Sequence, residues 1–366
     1  MAQFLELLQH NNYSIDHFAI STEKHPFVAN QYPPSVKVDH QFISTKVNTV
    51  GALGHLVTGK SYHLSRFYQE EVMETLSNLM TEQEYDVVIL ESLFLATYVE
   101  FLRNKTKAKI IVRAHNVEHQ IWTTIAENTS SALKRWYLTK AAKSLKKEEV
   151  QLLQKVDGIA CITQNDLALF EQLQLQKKMT VIPFTLPTQE RKSDYSPNDF
   201  YHLGSMDWQP NIETVDILVH RIFPQVRAQK ASAKLVLAGS KMNVQDYAGL
   251  TNVSALGFLD ELPTFYASVG VLLSPTQSGS GIRIKIAEAL SFGIPVVTTP
   301  QGAEGLLENS GTFIAKNDEE FIAKAIELQS NALLRQEMGE AAQQFIQQHY
   351  SKESVSLKLD AFLRSV

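Results

Sequence analysis

Short apolar runs alternate with amphipathic stretches along the whole chain. Residues 15–20, 87–90, 109–112, 158–162 and 180–182 are strand-sized and mostly apolar. Between them, 69–80, 133–153 and 164–173 carry apolar residues at the three- and four-residue spacing that builds one buried helix face. The pattern restarts further on, with strands predicted at 199–203, 234–238, 253–255, 269–274 and 295–299. Helices are predicted there at 211–227, 262–267, 282–292, 319–330 and 332–349. This alternation predicts an α/β fold with parallel sheets. Residues 183–198 hold Pro183, Pro187 and Pro197 with little periodicity, and form the expected linker. Two doubly wound, Rossmann-like domains follow, facing a cleft, with ligands expected at the carboxyl ends of strands. The start is unusual. Residues 3–9 already read as a helix leading into the 15–20 strand, so the first N-terminal strand of such a domain and its Gly-rich turn are expected to be missing.

Composition narrows the function classes. At 366 residues the chain suits two domains of ordinary size. A formal net charge of -5 argues against a nucleic-acid binder, whose affinity comes mainly from a basic face. The single cysteine, Cys161, lies in the apolar stretch GIACI, which excludes an internal disulfide and suits a reducing compartment. The longest apolar runs, such as 269–274 and 294–298, are far short of a bilayer span, and MAQFLELLQHNNYS lacks a signal-peptide pattern. A cytoplasmic protein is expected.

The most informative segment is 271–305, VLLSPTQSGSGIRIKIAEALSFGIPVVTTPQGAEG. It reads as strand, Gly-rich loop with Gly279 and Gly281, helix, then strand. A helix N-terminus behind such a loop favours an anion, because unpaired N–H groups and the helix dipole act together. Arg283 and Lys285 stand at that N-terminus, where positive side chains oppose the dipole, and a bound diphosphate would account for them. Glu288, about one turn further in, is placed to accept hydrogen bonds from ribose hydroxyls. A plain helix with solvated charges is the blander alternative.

This segment resembles the nucleotide-sugar site of the family 4 retaining glycosyltransferases, in the subgroup with the pattern GSGIRIK, EAL and GAEG. The resemblance implies the two-domain GT-B fold, with an N-terminal acceptor domain over 1–185 and a donor-binding domain over 197–350. It also implies that the last helix, roughly 351–366, crosses back to the first domain. Glu288 matches the second glutamate of the family's pair, whereas the first position holds Ser280. By resemblance Glu288 holds the donor ribose, and Gly279, Ser280, Gly281, Ala303 and Glu304 lie along the donor. YHLGSMDWQPN at 201–211 matches a strand end whose glycine is Gly204, but Ser205 and Pro210 stand where the family often has cations. Arg283 and Lys285 are expected to replace that clamp. In ALGFLDELPTFYASVGVLLSP at 255–275, Phe258 and Leu259 are expected at the nucleobase, with core packing as the alternative.

After the 109–112 strand comes RAHNVEH. His115, Glu118 and His119 alone make an H-x-x-E-H pattern, which on a helix can hold zinc. The position directly after an apolar strand, and the want of a third ligand, argue against it. By resemblance His115 meets the donor sugar, while Asn116 and Glu118 orient the loop. No metal or cofactor is expected. Residues 133–153 carry Lys134, Arg135, Lys140, Lys143, Lys146 and Lys147 beside Trp136 and Tyr137. A solvated helix face is the commoner outcome, and peripheral contact with the inner membrane face is the rival. The expected activity is transfer of a hexose-like sugar from a UDP- or GDP-sugar to a glycan or lipid-linked acceptor, with retention, in glycan or glycolipid synthesis. The alternatives are a non-catalytic or truncated protein that binds nucleotide-sugar, and a nucleotide-sugar epimerase.

Overall fold

A computed structural model describes residues 2–46, 48, 54–55, 59–189, 199–279, 281–306 and 310–366. The chain divides into two compact units, Met1–Phe184 with Val355–Val366, and Thr185–Ser354. Part of the expected linker (190–198), part of an apolar-rich segment at 47–67 (VNTVGALGHLVTGKSYHLSRF), and Ser280 lie outside the described residues.

The first unit holds α1 (Ala2–His10) and a parallel pair, β1 (Asp16–Ser21) and β2 (Lys37–Phe42). Next come α2 (Glu70–Glu82), β3 (Val87–Leu90), β4 (Lys109–Ala114), α3 (Glu118–Glu127), α4 (Ala132–Leu153), β5 (Gly158–Cys161), α5 (Gln164–Glu171) and β6 (Lys178–Val181). Strands β3, β4, β5 and β6 form one parallel sheet in that order. Central strands of such a sheet are covered on both faces, which is why β4 and β5 are apolar along nearly their whole length. Their residues alternate between two layers. Ile110, Val112, Ile159 and Cys161 pack with Leu145 and Leu153 of α4 and Phe170 of α5. Ile111 and Ala160 face Phe4, Leu7 and Leu8 of α1 together with Val355, Leu359 and Phe362 of the C-terminal helix, Lys352–Ser365. A Cβ built on Gly158 would fall 2.9 Å from the Phe362 ring, so this helix packs directly on the sheet backbone. The Tyr13 hydroxyl donates to Asp360 at 2.7 Å and fixes the same contact.

The second unit runs β7 (Asp199–Leu203), α6 (Gln209–Ile217), α7 (Phe223–Gln229), β8 (Lys234–Ala238), β9 (Val253–Ala255), α8 (Leu262–Ser268), β10 (Val271–Ser274), α9 (Ile284–Ser291), β11 (Val296–Thr298), β12 (Thr312–Ile314), α10 (Asp318–Ser330) and α11 (Ala332–His349). Among the described residues its strands form one parallel sheet in the order β12-β11-β10-β7-β8-β9. The helix expected over 211–227 is interrupted by a π turn at Leu218–Ile222, where the Phe223 N–H reaches the Leu218 carbonyl. Pro224 has no N–H to continue the ordinary ladder, and the wider turn absorbs that loss. The periodicity reading also missed β2, α3 and β12. β2 is largely exposed with no apolar run, and β12 has only three residues. No described helix is long and apolar enough to cross a membrane.

Candidate functional site

In the second unit the loops after β7, β10 and β11 emerge at the same, carboxyl end of the parallel sheet. The turns after β7 and β8 touch through their backbones. A Cβ on Gly239 would fall 1.8 Å from the Gly204 carbonyl, and the Gly204 N–H donates to Ala238 at 2.9 Å. Gly204 itself lies under the Asn211 side chain, which would meet a Cβ there at 2.8 Å.

Lys285, on the first turn of α9, is drawn inward. Its Nζ donates to Asn211 Oδ1 at 2.8 Å and lies 3.0 Å from His202 Nε2. His202 is fully buried on β7, and its Nδ1 lies 2.8 Å from the Leu273 carbonyl on β10. A carbonyl only accepts, so Nδ1 carries the hydrogen and Nε2 is the acceptor for the lysine. Burial, then the charge of Lys285, holds the imidazole pKa well below its ordinary value and keeps the ring neutral. Burial, then the neighbouring Arg283, pushes the Lys285 pKa down to about 7. Asn211 donates in turn to the Ser205 carbonyl at 2.9 Å. Four elements, β7, β10, α6 and α9, are therefore joined through one ammonium group.

Arg283 caps α9 with extended backbone and no side-chain cap bond. Its guanidinium donates to the carbonyls of Gly281 (2.8 Å), Ser278 (3.3 Å) and Gln301 (3.4 Å), and stands 4.0 Å from Glu304. It ties the Gly-rich loop to the loop after β11. Gly279 (φ 91°) and Gly281 (φ 79°) adopt the left-handed backbone this turn requires. The first N–H groups of α9 have no partner within the helix, and their dipole points at the same loop.

One turn along α9, Glu288 Oε2 accepts from the Tyr266 hydroxyl at 2.8 Å. Burial raises the Glu288 carboxyl above its usual range, opposed by this hydrogen bond. Tyr266 is anchored by its ring, stacked on Phe292 at 5.1 Å and edge-on to Tyr201 at 6.0 Å. Phe258 is 69% exposed, which removes the core-packing reading for that residue, while Leu259 is half-buried. Ala303 is buried and Glu304 half-buried beyond β11. A cavity of about 320 Å³ lies against the loops after β10 and β11, lined in part by Gln277, Gln301, Lys316 and Asp318.

The first unit carries a separate cluster at the carboxyl ends of β3 and β4. Glu91 accepts from buried Arg113 at 3.1 Å and lies 3.0 Å from His115 Nε2. Burial would raise the Glu91 carboxyl, but the His115 hydrogen bond and the Arg113 charge outweigh it and leave it below the usual range. The Arg113 guanidinium also lies over the Phe4 ring at 4.3 Å. His115 is 43% exposed, the open edge of this cluster.

The H-x-x-E-H spacing does not bring its three residues to one point. A helix does begin here, at Glu118, but His115 precedes it and turns to Glu91. His119 instead is buried against Glu149 of α4 at 2.5 Å, and Glu149 also accepts the Glu118 and His119 backbone N–H groups. Among the described residues no group of three or more His, Cys, Asp and Glu stands where it could hold a metal ion. Glu118 is pushed up to about 7 by burial and then by Glu149, with an opposing hydrogen bond from Asn116.

Sequence reasoning missed His202, Asn211, Tyr266 and Glu91. The signals were a histidine inside the buried strand FYHL and a carboxylate directly after the apolar run VVIL.

Comparison with known proteins matches residues 197–331 to the family described as Glycosyl transferases group 1. A 44.6 kDa protein in the cps region of Klebsiella pneumoniae is 21% identical over 296 residues, covering 76% of this chain and 74% of that protein. Among solved structures, HepE of Anabaena, determined with UDP, aligns with a TM-score of 0.64 at 13% identity over 96% of this chain and 100% of its own. Sucrose-phosphate synthase of Thermosynechococcus elongatus gives 0.65 at 13% identity, over 98% of this chain and 90% of that one. TarM of S. aureus gives 0.60 at 17% identity over 80% of this chain, which spans only 58% of TarM. These similarities show the fold, which is GT-B with Rossmann-like units and parallel sheets.

Proposed function

We propose that the protein is a glycosyltransferase that moves a sugar from a nucleotide-sugar donor to an acceptor hydroxyl. One observation carries the reading: a half-buried lysine, drawn inward onto neutral hydrogen-bond partners only, stands at a helix N-terminus behind a Gly-rich loop. That arrangement calls for an anion, and a nucleoside diphosphate also explains the glutamate one turn on and the exposed phenylalanine. The group 1 match over this unit and the UDP bound by HepE support it.

In this proposal the 197–350 region binds the donor and the 1–185 region the acceptor, a glycan or lipid-linked glycan. Glu288 accepts from the ribose hydroxyls. Phe258 and Leu259 cover the base, and the backbone at Gly204, Gly279, Gly281, Ala303 and Glu304 lies along the donor. His115, held by Glu91, hydrogen-bonds a hydroxyl of the transferred sugar. As the glycosidic bond loosens, the sugar gains oxocarbenium character and negative charge grows on the diphosphate. Lys285 and the α9 N-terminus stabilise that charge, with Arg283 holding the loop that presents them. The acceptor oxygen bonds to the anomeric carbon on the face the diphosphate leaves, and the departing diphosphate takes the acceptor proton, so the transfer is with retention. Preorganised groups of this kind contribute on the order of a hundredfold in rate each, and the cationic end of the site supplies the charge balance for which a metal is used elsewhere.

The experiment is thermal stabilisation by UDP, GDP and ADP and by their sugars, in wild type and Glu288→Ala. A ligand that binds only the native state must raise the melting temperature. A rise with one nucleotide, lost in the variant, supports the donor site and names the base; no rise with any of them sinks the proposal. The second reading, a protein that binds nucleotide-sugar without turnover, draws on Ser205, which bonds Asp207 and Ser240 where the resembling family often has a cation. It predicts stabilisation with no release of nucleotide in the presence of any acceptor tried.

A further inference from the structure

Lys285 is held by two acceptors, and neither is charged. Asn211 Oδ1 takes one ammonium hydrogen at 2.8 Å and neutral His202 Nε2 takes another at 3.0 Å. On β7 there is His202, locked neutral by its bond to Leu273. On α6, Glu213 accepts from Ser278 and Gln209 instead. Arg283, in the adjoining loop, adds a like charge, and Glu304 after β11 lies toward Arg283. On its own helix Glu288 is bonded to Tyr266 of α8. Among the described residues no carboxylate forms an ion pair with Lys285. Lys285 is half-buried, with its Nζ turned inward beside the like charge of Arg283; an ammonium so placed with no counter-charge is costly, and its proton is held less tightly unless an anion arrives.

We propose that His202 and Asn211 are positioning residues that keep Lys285 without a protein counter-ion, so that the donor's diphosphate supplies the missing charge and its binding draws one proton from solvent onto Lys285 Nζ. The inference rests on the donor-site reading above and goes beyond it: the site exchanges a proton as well as a ligand. The pieces fit that use. An aspartate at 211 would satisfy the same lysine permanently and would repel a diphosphate. The asparagine instead spends its amide N–H on the Ser205 carbonyl and offers an uncharged oxygen. The tautomer of His202, fixed by Leu273, likewise presents a lone pair rather than a proton. Binding is then linked to pH. Above the lysine's own titration range the empty site holds a neutral amine at Lys285, and each diphosphate bound restores an ammonium there.

The test is isothermal titration of UDP at about pH 8 in HEPES and in Tris, whose ionisation enthalpies differ. The slope of the observed heat against buffer ionisation enthalpy counts protons. Uptake close to one proton per UDP is expected at about pH 8, and about half a proton at about pH 7. Lys285→Arg, permanently charged, should bind with that uptake abolished. Asn211→Asp should also lose it, with UDP affinity weaker by on the order of tenfold because two negative groups then share the site. Binding to wild type with heats independent of buffer overturns the inference and leaves the donor site standing. Uptake that persists in Lys285→Arg places the proton elsewhere and overturns it too. No binding of UDP, GDP, ADP or inorganic pyrophosphate overturns both the inference and the reading beneath it.

Discussion

The Tyr266 hydroxyl donates to Glu288 Oε2 at 2.8 Å from a ring buried between Phe292 and Tyr201. The bond fixes the carboxylate's orientation and holds its proton affinity down against the effect of burial. Tyr266→Phe removes one oxygen and no packing surface, so the loss in stability should be about 1 kcal/mol. The loss at the site should be specific. With the donor removed, the Glu288 carboxyl rises further and the acid limb of donor binding moves to higher pH. The KM for donor should increase on the order of tenfold with kcat less affected, if Glu288 acts on the ribose. A variant with wild-type KM across the acid limb would separate Tyr266 from donor binding.

The depressed pKa of Lys285 makes a stability prediction that needs no ligand. Below about pH 7 both the folded and the unfolded protein carry the charged lysine, and the folded state bears the full cost of burying it. Between about 7 and the ordinary lysine value of 10.5 the unfolded chain binds the extra proton, so stability relative to a neutral replacement rises with pH. Lys285→Met should therefore melt higher than wild type in mildly acidic buffer, with the gap closing as pH rises toward about 9. Melting curves of both proteins across that range decide it. A pH-independent gap would mean that the lysine stays charged in the fold, held by something other than Asn211 and His202.

The α/β class and most strands were legible because buried parallel strands are continuous apolar runs, as in VVIL, KIIV and VLLS. The Gly-rich turn before α9 was equally legible, since Gly279 and Gly281 mark a backbone that other residues avoid. What stayed hidden depends on contacts distant in sequence. Lys285 reads as half of a diphosphate clamp at a helix start, but that its ammonium turns inward shows only when His202, 83 positions away, is folded against it. Arg283 reads as a ligand clamp by the same local rule, yet its hydrogens go to three loop carbonyls. His115 and His119 share a motif spacing and part company, because strand β3 brings Glu91 to one and α4 brings Glu149 to the other. Spacing along a chain finds side chains that could meet; the partners are fixed by topology.

Glu91 joins a structural role to a functional one. Its partner Arg113 is 6% exposed, and removing one member of a buried ion pair strands the other. Glu91→Ala should cost on the order of 3 kcal/mol, read by denaturant unfolding of the first unit. The sign with pH follows from the lowered carboxyl. The pair's contribution is present above the ordinary carboxylate range and is lost as pH falls through the depressed value. Wild type and variant should therefore converge in acid. At neutral pH, Glu91→Gln should retain more stability than the alanine variant while still releasing His115 from its carboxylate partner. A loss of turnover in Glu91→Gln that tracks the loss in His115→Ala would tie the two residues to one role.

Peripheral membrane contact turns on one face of α4. Leu138, Ala142, Leu145 and Glu149 point inward at three- and four-residue spacing. The opposite side carries Leu133, 78% exposed, and Trp136, 56% exposed, in line with Lys140, Lys143 and Lys147. Two large apolar side chains in water beside a row of lysines are more than a solvated helix face needs, and the combination suits the interface of an anionic bilayer, with the ring at headgroup depth. The chain as a whole has a net charge of -5, so attraction would have to come from this local cluster. Vesicles containing anionic lipid should carry the protein upward in a flotation gradient at low salt and release it at roughly 0.5 M salt, where screening shortens to a few ångströms. Trp136→Ser should weaken flotation without moving the melting temperature, since the side chain buries little in the fold. If wild type fails to float at low salt, α4 presents an ordinary solvated face and the acceptor must be met without help from this helix.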